Sequence, residues 1–343
     1  MRASLSAPKR NDLDWDNDNL PSTDSHAPAP PGLRLANRFT VTIFMCTFNG
    51  ERFLPAQLAS LQWQTFTNWR LIVSDDGSTD GTLAILQTFQ NAYPPGRIEI
   101  VEGPRAGAPA NFLFLASRKN PVSDYYAFCD QDDVWEADKL SRAIAILEAT
   151  PRGVPAVYGS RTRLIDANDN TIGLSPLFSR RPTFRSALVQ SIAGGNTMVF
   201  NRAARNLLAF CGADVTIPSH DWWLYQVTSA CNGVVHYDPT PSVRYRQHGN
   251  NVIGSNMGLA ARLRRVRMLG QGRFRQWSDQ NVAALMRLRP RMTAENRNTF
   301  DTFRKARHLP LLQRARLFVE ARVYRQTILG NLGLAAAVVL KKV

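Results

Sequence analysis

The sequence predicts an α/β protein built on a mostly parallel sheet with helices on both faces. Two observations predict it. Short β-rich runs alternate with helix-period stretches through the first half of the chain, and three polar clusters fall where those runs end. In such a sheet, ligands bind outside the carboxyl ends of the strands. TVTIFMC (Thr40 to Cys46) is the first expected strand, closed by TFNG and followed by Phe53, Leu54, Leu58 and Leu61 at helical spacing. WRLIVS (Trp69 to Ser74) is the second, closed by DDGSTDG and followed by a stripe through Leu83, Leu86 and Phe89. RIEIVE (Arg97 to Glu102) is the third, with a helix expected over Asn111 to Ser117. DYYAFC (Asp124 to Cys129) is the fourth, closed by DQDDVW ahead of a helix near Lys139 to Ala149.

Beyond Thr150 the pattern loosens. Helices are expected over Ala203 to Phe210 and Asp221 to Ala230, then two short strands, GVVHY (Gly233 to Tyr237) and SVRYRQ (Ser242 to Gln247). From Leu259 onward the chain reads as basic helix. Leu311, Leu312, Ala315, Phe318, Val319 and Val323 form one apolar stripe. The apolar stretch from Thr327 to Leu340 would make a helix of about 21 Å, against roughly 30 Å of hydrocarbon, so it is too short to span a membrane. An interfacial anchor or a packed helix is expected instead.

The chain has 343 residues and 44% hydrophobic residues, enough for a substantial core and too many for a wholly disordered protein. Four widely spaced cysteines form no CxxC pair, which argues against a zinc module and a disulfide framework and for a reducing compartment. The formal net charge is +15, from 42 Lys+Arg and 27 Asp+Glu. All of that excess lies between Val252 and Val343, where 19 basic residues meet 4 acidic ones. Partners for this region are anionic: a membrane surface, nucleic acid or a charged substrate. Residues 1–38 are polar, carry five prolines and read as a disordered tail. No basic-then-apolar leader is visible, so a cytoplasmic location is expected.

The polar clusters carry the chemistry. Asp130 and Asp132 of DQDD stand two residues apart where a strand leaves the sheet, which lets both carboxylates converge. Two oxygen ligands beside open positions suit Mg²⁺ or Mn²⁺ holding a diphosphate. The competing account is an acidic turn with Asp133 capping the next helix. In DDGSTD, Gly77 and Gly81 permit a tight turn and Ser78 or Thr79 can cap a helix, but adjacent Asp75 and Asp76 exceed what a turn needs. An acidic side chain there can accept from a ribose hydroxyl or a base N–H.

CTFNGERFLPAQLASLQWQTFTNWRLIVSDDGSTDGT followed by FCDQDDVW resembles the nucleotide-sugar-binding half of the family 2, GT-A-fold glycosyltransferases. SHDWW (Ser219 to Trp223) and VRYRQHGNNVIG (Val243 to Gly254) narrow the resemblance to a bacterial subgroup that includes rhamnosyltransferases of cell-surface polysaccharide assembly. It covers residues 39–254, with a nucleotide-sugar half at 39–150 and an acceptor half at 151–254. A basic helical extension follows at 255–343.

The resemblance implies roles residue by residue. Thr47, Asn49, Glu51 and Asp76 would hold the nucleoside, and Asp130, Gln131 and Asp132 the nucleotide-sugar. Asp130, Asp132 and His248 would hold Mn²⁺ or Mg²⁺. Asp221 stands where the family has its catalytic base. Trp222 and Trp223 would offer a flat face to an acceptor sugar, although packing accounts for at least one of two adjacent tryptophans. Gly195 and Asn196 are expected beside the acceptor, and His220 as a solvated residue at the start of its helix. No QxxRW motif is present, which points to single transfers rather than polymerisation.

Together these imply an inverting, metal-dependent glycosyltransferase. The donor would be dTDP-L-rhamnose or another nucleotide-sugar such as a UDP-hexose, and the acceptor a lipid-linked or surface glycan at the inner membrane face. A nucleic-acid-binding protein is the alternative of another class. It lacks a zinc finger, an RNP-like motif or aromatic interleaving to support it, so no nucleic acid is expected as a partner.

Overall fold

The computed structural model describes residues 38–120, 122–248 and 272–343. The tail, the end of the QHGNN segment and the start of the basic helical region lie outside the described residues.

The element order begins β1 (Val41–Thr47), α1 (Leu54–Gln62), β2 (Trp69–Asp75), α2 (Thr82–Asn91), β3 (Ile98–Glu102), α3 (Ala108–Ser117), β4 (Tyr125–Asp130). Every residue of β1 is buried, as a parallel strand covered on both faces requires. Its side chains divide with period two: Val41, Ile43 and Met45 enter one core, while Phe44 and Cys46 enter the other. These four strands pair in parallel in the order β3-β2-β1-β4. Thr47 stands opposite Asp75, Asp75 opposite Glu102, and Cys46 opposite Asp130. The register therefore places the ends of all four strands along one edge.

Next come β5 (Val134–Trp135), α4 (Lys139–Leu147), β6 (Ala156–Ile165), β7 (Thr171–Leu174), α5 (Phe184–Ala187), β8 (Val199–Asn201), α6 (Arg202–Cys211), α7 (His220–Ala230) and β9 (Val234–Arg246). Here the sheet is mixed. β8 runs antiparallel between β4 and β6, whereas β9 runs parallel to β6 and antiparallel to β5. The two strands expected at 233–247 are one strand. Pro239 and Pro241 interrupt its donors, and the register shifts opposite Ser160 to Thr162, yet pairing resumes on the far side. Asn201 caps α6 by accepting from the Ala204 N–H. All four cysteines are free thiols.

The C-terminal helices are α8 (Arg273–Leu288), α9 (Ala294–Ala306), α10 (Leu311–Ala321) and α11 (Ile328–Val339). They are not a detached appendage. Leu285, Leu288, Phe300 and Phe303 are buried in the same core as Phe128 and Trp223. Beyond α10, the Tyr324 hydroxyl donates to the Arg181 carbonyl, and the Gln326 side chain accepts from the Arg180 N–H. Among the described residues, no helix is long and apolar enough to cross a membrane.

Candidate functional site

The first two strand ends are stapled together. The Thr47 hydroxyl donates to Asp75 over 2.7 Å, and Asp75 also accepts from the Gly77 and Ser78 N–H groups and the Ser78 hydroxyl. Asn49, left-handed at φ 48°, accepts from the Thr79 N–H, while Glu51 accepts from the Gly81 N–H. Asp76 accepts from the Arg105 and Gly107 N–H groups and so ties the β3–α3 loop to the same edge. Exposed Asn49 and Glu51 and half-buried Asp76 line one rim, with Thr47 buried beneath it. Gln131 joins the fourth strand end to this rim. Its amide donates to the Phe48 carbonyl and accepts from the Phe48 N–H, each at 2.9 Å.

The fourth strand end is different. Burial, followed by the like charges of Asp132 and Asp221, pushes the Asp130 carboxyl up to about 7, with only Lys139 opposing. Asp132 stands 2.7 Å from His248 Nε2. Burial also raises the Asp221 carboxyl, against the Ser219 hydroxyl and the Trp222 N–H that bond its charged form. Three acidic side chains and a histidine, drawn from β4, the loop after it, α7 and the end of β9, thus converge. The carboxylates and the imidazole here are donor types that Mg²⁺ or Mn²⁺ accepts. Among the described residues, no three His, Cys, Asp or Glu side chains stand together closely enough to hold a metal ion.

Several expectations are corrected here. Asp133 does not cap a helix. It is wholly buried and accepts from the Asn196 amide at 2.5 Å and from the Arg246 N–H at 3.0 Å. His220 is not solvated: it is buried, stacked on Phe112 at 3.9 Å, and burial lowers its pKa to about 3. Its helix starts against the core, which leaves the residue only 8% exposed. Trp222 and Trp223 are both buried, and the Trp222 indole donates to the Ala187 carbonyl. Neither offers a ring face to an acceptor. Asn196 is buried as well, its amide committed to Asp133. Gly195 lies under His220, where a Cβ would sit 2.1 Å from Nε2. Trp222, Trp223, Asn196 and Gly195 are all buried rather than open to an acceptor.

Two supporting residues escaped sequence reasoning. Lys139 is fully buried, donates to the Asn196 carbonyl at 2.8 Å and lies 3.1 Å from the Trp135 ring centroid. Burial lowers its pKa to about 7. Its signal was a lysine in the first turn of a helix, where the dipole disfavours a cation. Arg246 is buried at the end of β9, where its guanidinium donates to the Asp132 carbonyl and pairs with Asp169 at 2.7 Å. Strand alternation alone could not reveal a buried arginine.

A sheet whose parallel strands end in a polar rim and an acidic cluster has the arrangement in which α/β proteins bind their ligands. Comparison with known proteins makes the class specific. Residues 42–208 match the family described as Glycosyl transferase family 2. Over 246 residues the chain is 30% identical to dTDP-rhamnosyl transferase RfbG of Shigella flexneri, spanning 68% of this chain and 81% of that protein. It is 29% identical over 173 residues to UDP-Glc:alpha-D-GlcNAc-diphosphoundecaprenol beta-1,3-glucosyltransferase WfgD of Escherichia coli, covering 50% of this chain and 64% of that one. Among solved structures, GalNAc-T7 with UDP, GalNAc and Mn²⁺ superposes with a TM-score of 0.50 at 11% identity, over 84% of this chain and 55% of that one. The chain belongs to glycosyltransferase family 2, has the GT-A fold, and is a nucleotide-sugar-dependent glycosyltransferase.

Proposed function

We propose that this enzyme transfers L-rhamnose from dTDP-L-rhamnose, with inversion, to a hydroxyl of a lipid-linked or cell-surface glycan at an anionic membrane surface. The carrying observation is the convergence of Asp130, Asp132 and Asp221 at the end of β4. The donor rests on the similarity to the Shigella rhamnosyl transferase. Similarity to the UDP-glucose-dependent enzyme favours UDP-glucose as the second reading.

The nucleoside would lie against Asn49, Glu51 and Asp76, with Gln131 fixing the rim to the diphosphate end. Asp130, Asp132 and His248 are the residues that would hold Mn²⁺ or Mg²⁺. Such an ion neutralises the departing diphosphate. An imidazole ligand favours Mn²⁺. Asp221, with its raised pKa, suits a general base that takes the acceptor hydroxyl's proton. The acceptor oxygen then bonds to the anomeric carbon as the carbon–oxygen bond to the diphosphate breaks. One base and no carboxylate nucleophile give an inverted anomeric centre.

Proton NMR of the first-formed product tests this. The transferred sugar should carry the anomeric configuration opposite to the donor's. A retained anomeric configuration would overturn the assignment of Asp221 as base.

A further inference from the structure

The solvent side of α11 does not look like the solvent side of a helix. Ile328, Leu329 and Leu332 are 81%, 67% and 62% exposed, and Gly333, Ala335, Ala336 and Val339 are exposed beside them. The helix carries no charge, and its one polar residue, Asn331, turns back onto the Arg325 and Thr327 carbonyls. Its opposite side, Leu334, Ala337 and Val338, is the part buried in the protein core. Neighbouring α10 adds Leu312, 85% exposed, and Val319. A helix apolar all round, buried on one side only, leaves a face that water does not favour.

Cations surround this face in sequence. From Arg304 to Val343 there are 9 Lys+Arg and a single acidic residue, Glu320. Arg322 and Arg325 precede α11, and Lys341 and Lys342 follow it directly. Lys305, Arg316, Arg322 and Lys341 are exposed and make no ion pair among the described residues. Two copies of so basic a surface would repel one another. An anionic bilayer meets both needs: acyl chains for the apolar face, phosphate headgroups for the cations.

We propose that the exposed side of α11, with Leu312 of α10, inserts into the headgroup boundary of an anionic lipid bilayer while the flanking Arg and Lys side chains bind lipid phosphates. This deepens the membrane part of the function proposed above by naming the surface and the force. Apolar insertion and attraction to the headgroup charge act together, and the charge selects the lipid. The helix lies in the interface with its buried side still packed on the enzyme, so the transferase domain is held at the membrane plane.

Flotation of the full-length protein with phosphatidylcholine vesicles, with and without phosphatidylglycerol, tests it against the double variant Ile328→Ser/Leu332→Ser. Both positions are exposed, so the variant should keep its melting temperature. The native chain should float with the anionic vesicles and only weakly with the neutral ones. The double variant should lose affinity on the order of tenfold or more at low salt. Arg316→Gln/Lys341→Gln should reduce the preference for phosphatidylglycerol. No flotation of the native chain, or flotation that the Ser variant retains, would overturn insertion. So would a native dimer in sedimentation velocity that the Ser variant dissociates, since that gives the face to a second copy. Donor-induced thermal shifts on the same samples keep the two readings apart. A lost shift with intact flotation counts against the catalytic reading alone.

Discussion

Two acidic clusters close two neighbouring strands of the same sheet, and the protein treats them in opposite ways. At the end of β2, Asp75 accepts from Thr47, Gly77 and Ser78, and Asp76 from Arg105 and Gly107. Every charge there is answered from within. At the end of β4, Asp130 faces Asp132 and Asp221, and its carboxyl rises to about 7. The first cluster builds the rim, and the second holds charge in reserve for a ligand. Stability is given up at the second position, as is common where function needs a strained charge.

The comparison breaks most visibly on turnover. Asp221→Asn should lower kcat by about 10²–10⁴, the usual contribution of a positioned base, with little change in melting temperature. Equal turnover in an assay of sugar release to acceptor would remove Asp221 from the chemistry.

The floor beneath β4 comes next. Neutral His220 in the fold has a pKa of about 3, against 6.5 for the unfolded chain. Below pH 6.5 the unfolded chain takes up a proton that the folded one refuses. Stability should therefore fall as pH drops from 6.5 towards 3, by on the order of a few kcal/mol from this group. Urea midpoints across that range should fall less steeply for His220→Gln, whatever its stability at neutral pH.

Smaller effects separate the two strand ends directly. Asp75→Ala strands the buried Thr47 hydroxyl and two backbone donors, and should cost about 1–3 kcal/mol of folding stability. Asp130→Asn should do the reverse. Because folding raises the Asp130 pKa from 3.8 to about 7, its ionised form costs stability as pH rises through that window. Removing the charge should add about 1 kcal/mol at pH 8, after allowance for its partial exposure to water. Denaturation midpoints of the two variants should move in opposite directions from the native value.

How much of this was legible in the sequence follows from range. The four parallel strands and their polar ends could be read because each lies in one continuous run with its own periodicity. The convergence of Asp130, Asp132 and Asp221 was implied by resemblance and rests on pairings across some ninety residues. Lys139 and Arg246 could not be read as buried, because burial of a charge depends on partners such as Asn196 and Asp169 far along the chain. The Trp222–Trp223 pair misled for the same reason: two aromatic residues beside a base suggest a sugar platform, but α7 packs against α3, α5 and α6 and buries both. The apolar segment at 327–340 reads, by pattern, equally as an interfacial anchor or a packed helix. Only packing shows that half of α11 stays outside.

Thermal denaturation with dTDP-L-rhamnose, in Mn²⁺ and then in EDTA, tests the central claim most directly. Donor at about 100 times its Kd should stabilise the native chain by roughly 2.7 kcal/mol, seen as a rise of several degrees in Tm. The rise should vanish in EDTA and in Asp132→Ala, and survive in Asp221→Asn. A donor shift indifferent to both EDTA and Asp132→Ala would contradict a metal–diphosphate site at the end of β4.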